Sequence, residues 1–181
     1  MKKLGVGIIG CGGIANGKHM PSLKTVAGVE QVAFCDIDAS KAEKAAQEYG
    51  VQGAKVYTSY MDLLNAGGVD VIHVCTPNIS HDAITIAALQ AGNHVMCEKP
   101  LARDSQEGER MVAAVEQAKV PNTVWYNYRR VPAVTLAKKL IDAGKLGRIF
   151  HYRAVFLQDW TISSDLPQGG QGLWRLDAAA A

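Results

Sequence analysis

An apolar run, Leu4-Gly5-Val6-Gly7-Ile8-Ile9, leads without a break into Gly10-Cys11-Gly12-Gly13-Ile14-Ala15. About twenty residues later an acid, Asp36, ends a second apolar run, Val32-Ala33-Phe34-Cys35. This order predicts a buried strand, a Gly-x-Gly-x-x-Ala turn, a helix, a second strand and a carboxylate at its end, the arrangement that holds a dinucleotide. Gly10 permits the tight turn, Gly12 has no Cβ to keep a pyrophosphate off the backbone, and Ala15 lets the helix pack close to the strand. The unpaired N–H groups at the helix start, around Gly13 and Ile14, favour an anion. Glycines alone recur in loops for conformational reasons. The strand before, the helix after and the acid beyond separate this turn from a plain βα connection.

Asp36 narrows the cofactor. A carboxylate there accepts hydrogen bonds from an adenosine ribose 2′-OH and repels a 2′-phosphate, which calls for a nearby Arg. Ile37 and Asp38 follow, not Arg or Ser, so NAD is favoured over NADP; Lys41 keeps NADP as the second choice. Asp36 has a local alternative as a helix cap, but Asp38 or Ser40 can cap the helix that begins near Lys41.

At 181 residues, with 48% apolar and 20% charged residues, the chain reads as globular with enough apolar surface for a core. A net charge of +2 is too small to argue for nucleic acid or an anionic membrane as partner. No run approaches the ~18 apolar residues of a membrane span, and the N-terminus lacks the pattern of a signal peptide. Cys11, Cys35, Cys75 and Cys97 sit at or just after the ends of apolar runs, in no metal or redox spacing. They read as buried small hydrophobes in a reducing compartment, the cytoplasm, with a reactive thiol at Cys11 the lesser alternative.

Strand and helix patterns alternate as far as about residue 127. Helices are predicted over 39–49, 59–65, 80–91 and 105–118; strands over 54–57, 69–75, 94–97 and 123–127. Asn78 or Ser80 is the natural cap for the third of those helices. Such alternation means an α/β fold with a doubly wound parallel sheet, its ligand at the C-terminal strand ends. The pattern then changes. Pro132 opens a helix with Val134, Ala137, Leu140 and Ile141 at helical spacing, Gly144 stops it, and Arg148–Leu157 reads as a long strand. The expectation is a Rossmann domain over 1–127 and the beginning of a second, incomplete domain over 128–181.

Two further clusters fall at strand ends: Cys75-Thr76-Pro77-Asn78-Ile79-Ser80-His81 and Cys97-Glu98-Lys99-Pro100. With the glycine turn and Asn127-Tyr128-Arg129, they make the chain resemble the glucose-fructose oxidoreductase / inositol dehydrogenase family (Gfo/Idh/MocA) over nearly its whole length. Glu98-Lys99-Pro100 after a strand is the most specific element. The resemblance implies an NAD(P)-dependent dehydrogenase of sugars, polyols or related cyclic alcohols, with a second α/β domain built on an open sheet. It also implies a homo-dimeric or homo-tetrameric parent. Gln158-Asp159-Trp160 and Leu173-Trp174-Arg175 resemble the sugar-facing segments of the polyol and anhydrosugar branch.

Under that resemblance Lys99 is the catalytic residue, a proton donor or acceptor that holds a substrate hydroxyl and stabilises the developing alkoxide while hydride leaves the same carbon. Glu98 bonds the nicotinamide side or ribose and orients Lys99, and Thr76, Pro77 and Asn78 line the nicotinamide ribose. His81 and Asn127 lie near the cofactor. Tyr128, Arg129, Trp160, Trp174 and Arg175 are candidates for substrate contact, although tryptophans more often fill a core. The family's general base, a His just beyond the Trp-Arg segment, is expected past Ala181, and neither His73 nor His151 takes its place. Two alternatives stay open: an NAD-dependent glycosidase of the same family, and a non-catalytic dinucleotide module.

Overall fold

The computed structural model describes residues 3–157 and divides into two compact units between Trp125 and Tyr126. In the first unit β1 (Leu4–Ile9) ends at the glycine turn. A π-helical turn (Ala15–His19) then runs into α1 (Met20–Leu23), followed by β2 (Val29–Cys35) and α2 (Ala39–Tyr49). Next come β3 (Lys55–Tyr57), α3 (Tyr60–Ala66) and β4 (Val71–Val74). A 3-10 turn (Asn78–Ser80) leads to α4 (His81–Gln90), then β5 (His94–Cys97), α5 (Ser105–Ala118) and β6 (Asn122–Val124). All neighbouring strands are parallel, in the order β3-β2-β1-β4-β5-β6. The chain thus starts in mid-sheet, winds outward through β2 and β3, and crosses back to β4. The strand order therefore reverses between β1 and β4, and a doubly wound sheet takes its ligand at the C-terminal ends of the strands flanking such a reversal.

Both faces of the sheet are covered, which explains why its strands read as continuous apolar runs. Period-two alternation sends Val6, Ile8 and Phe34 into one core with Met20, Ala42 and Ala45. Ile9, Ala33, Cys35, Ile72, Val74 and Val95 enter the other, with Leu63, Ile84, Leu89 and Met111. All four cysteines are free and buried. The reactive-thiol alternative for Cys11 fails, because burial first and the Asp36 charge second push that thiol up to about 12.

Local chemistry sets most helix starts. Asp38 Oδ1 accepts from Ser40 N (3.0 Å) at α2, and Asp104 Oδ1 accepts from Glu107 N (2.8 Å) at α5. Glu107 Oε2 in turn accepts from Arg103 N (3.0 Å). Asp104→Ala is expected to cost about 1 kcal/mol, read as a melting-temperature drop of about 3 °C. The expected cap of α4 by Asn78 or Ser80 does not form. Ser80 Oγ instead lies 2.8 Å from Thr76 Oγ1 and 2.9 Å from the Pro77 carbonyl, so its proton is spent within the preceding loop.

In the second unit a 3-10 turn (Asn127–Arg130) leads to α6 (Pro132–Asp142). Gly144, at φ +67°, ends it in the left-handed conformation, with Lys145 N donating to the Leu140 carbonyl (3.0 Å). The strand expected over Arg148–Leu157 is absent from the described residues. No neighbouring strand pairs with it there, and a lone strand leaves its backbone groups unsatisfied. Its large apolar side chains stand in solvent, Phe150 at 84% and Leu157 at 89% exposure.

Candidate functional site

The C-terminal strand ends bring four sequence segments together. Gly10 N donates to the Cys35 carbonyl (2.8 Å), Cys75 N to Ile9 O (2.7 Å), and Glu98 N to Val74 O (2.9 Å), extending the ladder past the strands. The glycine turn, Asp36, Thr76–Asn78 and Glu98–Lys99–Pro100 therefore share one edge.

Gly10 has φ +92°, and a Cβ there would stand 2.7 Å from both the carbon and the oxygen of the Cys75 carbonyl, so this glycine is required by the backbone itself. Gly12 and Gly13 are different: a Cβ on either meets nothing within 4 Å, so the space above them is open. Asn16 Nδ2 donates to the carbonyls of Cys11 and Gly12, which leaves amides as the groups the turn presents. Ile14 is exposed above the turn, and Ala15 is wholly buried beneath it.

Asp36 is held rigidly. Its Oδ2 accepts from Cys11 N (2.8 Å) and its Oδ1 from Asp38 N (3.0 Å). Each oxygen keeps a lone pair for a ribose hydroxyl. The helix-cap role belongs to Asp38, as the sequence allowed. Ile37, beside Asp36, is an apolar side chain 94% exposed. Open space above Gly12 and Gly13, an oriented carboxylate with lone pairs to spare and an exposed isoleucine make a surface that fits a dinucleotide.

His81 lies behind this surface. It is fully buried, with Nδ1 2.8 Å from the Pro100 carbonyl and Nε2 3.0 Å from the Thr76 carbonyl. Both ring nitrogens face backbone carbonyls, to one of which a neutral ring donates, so His81 packs between the Thr76 loop and the Lys99–Pro100 segment from within. Lys99 is exposed at the strand-end edge, and the Lys99–Pro100 peptide is cis.

Glu98 turns inward, into a polar cluster that the sequence reading passed over. His19 Nε2 lies 2.8 Å from Glu98 Oε1, and His19 Nδ1 lies 3.2 Å from His73 Nδ1. Glu98 Oε2 accepts from Lys99 N (3.1 Å). Trp125 closes the cluster, with its ring centroid 5.2 Å from His19 and 5.9 Å from His73. Burial acts to raise the Glu98 carboxyl, but the hydrogen bond from His19, the His19 charge when that ring is protonated, and then the Lys99 amide and charge outweigh it, so the group is held below its ordinary value. One signal was available in the sequence: His73 interrupts an apolar strand, and a buried polar side chain demands a partner.

Burial first, then neighbouring His19, pushes His73 down to about 4. The unfolded chain binds this proton near the ordinary histidine value and the folded chain only near 4. Stability is therefore complete above about pH 6.5 and falls as pH drops toward 4, by on the order of 2–3 kcal/mol. Urea midpoints measured across that window are expected to show the decline, and His73→Gln to flatten it.

Asn127, Tyr128 and Arg129 belong to the second unit, where all three are exposed and Tyr128 meets Phe156 edge to face at 5.7 Å. Trp160, Trp174 and Arg175 lie outside the described residues. Among the described residues no group of His, Cys, Asp or Glu could hold a metal ion, and no helix is long and apolar enough to cross a membrane.

A family model described as an oxidoreductase family with an NAD-binding Rossmann fold, GFO_IDH_MocA, matches residues 4–128. The chain belongs to the Gfo/Idh/MocA family. It is 35% identical over 189 residues to levoglucosan dehydrogenase of Pseudarthrobacter phenanthrenivorans, covering 100% of this chain and 47% of that protein. An oxidoreductase domain protein from Kribbella flavida superposes with a TM-score of 0.86 at 37% identity, covering 100% of this chain and 49% of that one. The WlbA dehydrogenase of Chromobacterium violaceum, solved with NADH and UDP-GlcNAcA, gives 0.77 at 32% identity, over 83% of this chain and 43% of its own. This Gfo/Idh/MocA chain thus spans about half the length of the relatives it matches. The doubly wound sheet and the NAD-binding assignment, both expected from the glycine turn, are those of the family.

Proposed function

We propose that this chain is the cofactor-binding part of an NAD-dependent dehydrogenase that oxidises a secondary alcohol of a sugar, polyol or inositol-like substrate. The observation that carries the reading is the shared strand-end edge, where an open glycine turn and a rigidly held Asp36 lie alongside the exposed Lys99. Bound NAD+ supplies the hydride acceptor. The turn amides hold the pyrophosphate, Asp36 the adenosine ribose, and Thr76, Pro77 and Asn78 the nicotinamide ribose. Lys99 donates a hydrogen bond that holds the substrate hydroxyl and stabilises the developing alkoxide, while the hydroxyl proton passes to the general-base histidine that the family resemblance implies. Asn127, Tyr128, Arg129, Trp160, Trp174 and Arg175 are assigned to the cofactor amide and the substrate on the family resemblance. Four buried free thiols fit a cytoplasmic, reducing compartment.

Calorimetric titration of the chain with NAD+ and NADP+ tests the cofactor assignment. NAD+ is expected to bind in preference, and Asp36→Ala to weaken it about tenfold, the loss of one hydrogen bond to a charged group. Equal binding of both nucleotides, untouched by the substitution, would refute it. Net NADH release from sugars and polyols by a form of the protein with a complete substrate domain tests the reaction.

A further inference from the structure

We propose that His19 is a positioning residue for the Glu98–Lys99 segment, fixing through Glu98 the orientation from which Lys99 works and tying that segment to the helix that opens at the phosphate-binding turn. The proposal rests on the dehydrogenase reading only in the task given to Lys99.

Three observations carry it. The first is reach: His19 and Glu98 are 79 residues apart in sequence, yet their side chains meet at 2.8 Å, both nearly excluded from solvent. A carboxylate so enclosed persists only if its oxygens are satisfied, and here His19 takes one and the Lys99 amide the other. The second is a single proton assignment that satisfies the whole chain of contacts. Neutral His73 donates from Nδ1 to His19 Nδ1, His19 donates from Nε2 to Glu98 Oε1, and Lys99 N donates to Glu98 Oε2. Trp125 packs edge-on to His19 and keeps water from competing. The third is the backbone: His19 ends the π-helical turn Ala15–His19, in which Met20 N bonds back to the Ala15 carbonyl. The wider turn shifts the register of the side chains that follow it, and such turns recur at functional sites. It delivers the imidazole inward, beneath the cofactor edge, while Ala15 packs on the strand.

Glu98 is a relay of position. Were His19 removed, one of its oxygens would stay buried without a donor, and the carboxyl would protonate or swing toward solvent. Protonation weakens the Lys99 N–H bond to Oε2, and a swing toward solvent breaks it. The titratable groups that bear on Glu98 are His19 from the turn before α1, Cys75 beyond β4, and Cys97 and Lys99 on its own segment; His73 of β4 acts on it through His19.

Wild type, His19→Leu and His19→Gln of this chain provide the test. A glutamine amide reproduces the Nε2 donor, whereas leucine fills the space without one. Long-range proton–nitrogen NMR of the wild-type rings is expected to show His19 protonated at Nε2 and His73 at Nδ1. The Glu98 carboxyl carbon is expected to titrate about one pH unit higher in His19→Leu and to return toward wild type in His19→Gln. Acetylation of Lys99, measured by mass spectrometry against Lys44 as reference, is expected to change severalfold in the leucine variant and to recover with glutamine. A His19 Nε2 without a proton overturns the proposal. So does a leucine variant that melts lower but keeps the wild-type Glu98 titration and Lys99 labelling, because that is a merely structural residue. A leucine variant that does not fold leaves the decision to glutamine, whose labelling must match wild type. None of these readouts requires nucleotide, so a wild-type chain that fails to bind NAD+ refutes the dehydrogenase reading separately.

Discussion

Lys99→Ala is expected to lower turnover by about 10²- to 10⁴-fold while leaving NAD+ affinity within about threefold of wild type. The split follows from where Lys99 sits. Its side chain is exposed at the strand-end edge, whereas the glycine turn and Asp36 are held by contacts of their own: Cys11 N, Asp38 N and Asn16. On the proposed reading, removing the ammonium withdraws the group that holds the substrate hydroxyl and stabilises its developing alkoxide, and leaves the nucleotide's partners in place. Steady-state NADH release and NAD+ calorimetry, both in a form of the protein carrying its full substrate domain, read the two halves independently. Turnover that survives the alanine would show that stabilisation of the alkoxide belongs to another residue. Loss of both turnover and NAD+ binding would show that Lys99 holds the cofactor itself.

Gly10→Ala and Gly12→Ala are expected to fail in opposite ways. At Gly10 the new methyl would have to share space with the Cys75 carbonyl at 2.7 Å, and φ of +92° adds strain of about 1–3 kcal/mol on its own. The neighbour is backbone of the adjacent parallel strand end, which cannot yield without moving β4. The variant should lose at least about 3 kcal/mol, several degrees in melting temperature or failure to fold, whether or not nucleotide is present. At Gly12 nothing lies within 4 Å, so the fold accepts the methyl and the melting temperature should hold. The methyl then occupies the space where a pyrophosphate approaches, and NAD+ affinity should fall by about tenfold or more. Thermal melts with and without NAD+ separate the two. A stable Gly10→Ala, or a Gly12→Ala that binds normally, would refute the respective assignment.

Much of the nucleotide side was legible in the chain because its determinants are local. The Gly10–Ala15 spacing, the apolar run before it and the acid after the second run specify a turn whose geometry depends on only a few neighbouring residues. The helices 39–49 and 105–118 appear within the bounds their periodicity predicts, with Asp38 and Asp104 as side-chain caps. At α4 the Ser80 hydroxyl is turned to the Thr76 and Pro77 oxygens and accepts from no helix amide, so the helix starts without the side-chain cap its sequence predicts. The segment Arg148–Leu157 has strand composition but no ladder partner among the described residues, and β-propensity without pairing does not make a strand.

Glu98 shows the boundary most clearly. As a sequence neighbour of Lys99 it read as a group facing the cofactor or orienting the lysine. The structure turns its carboxylate inward, to a histidine 79 residues away and, through it, to a second histidine on the central strand β4. By itself the sequence determined the elements whose causes are short-range: a glycine that only glycine can fill, side chains alternating across a strand, a carboxylate capping the helix beside it. Only the tertiary structure decided which buried polar groups meet. The crossover from β3 back to β4 sets His19, His73 and Glu98 side by side, and a buried carboxylate takes whichever donors the packing brings within hydrogen-bond distance.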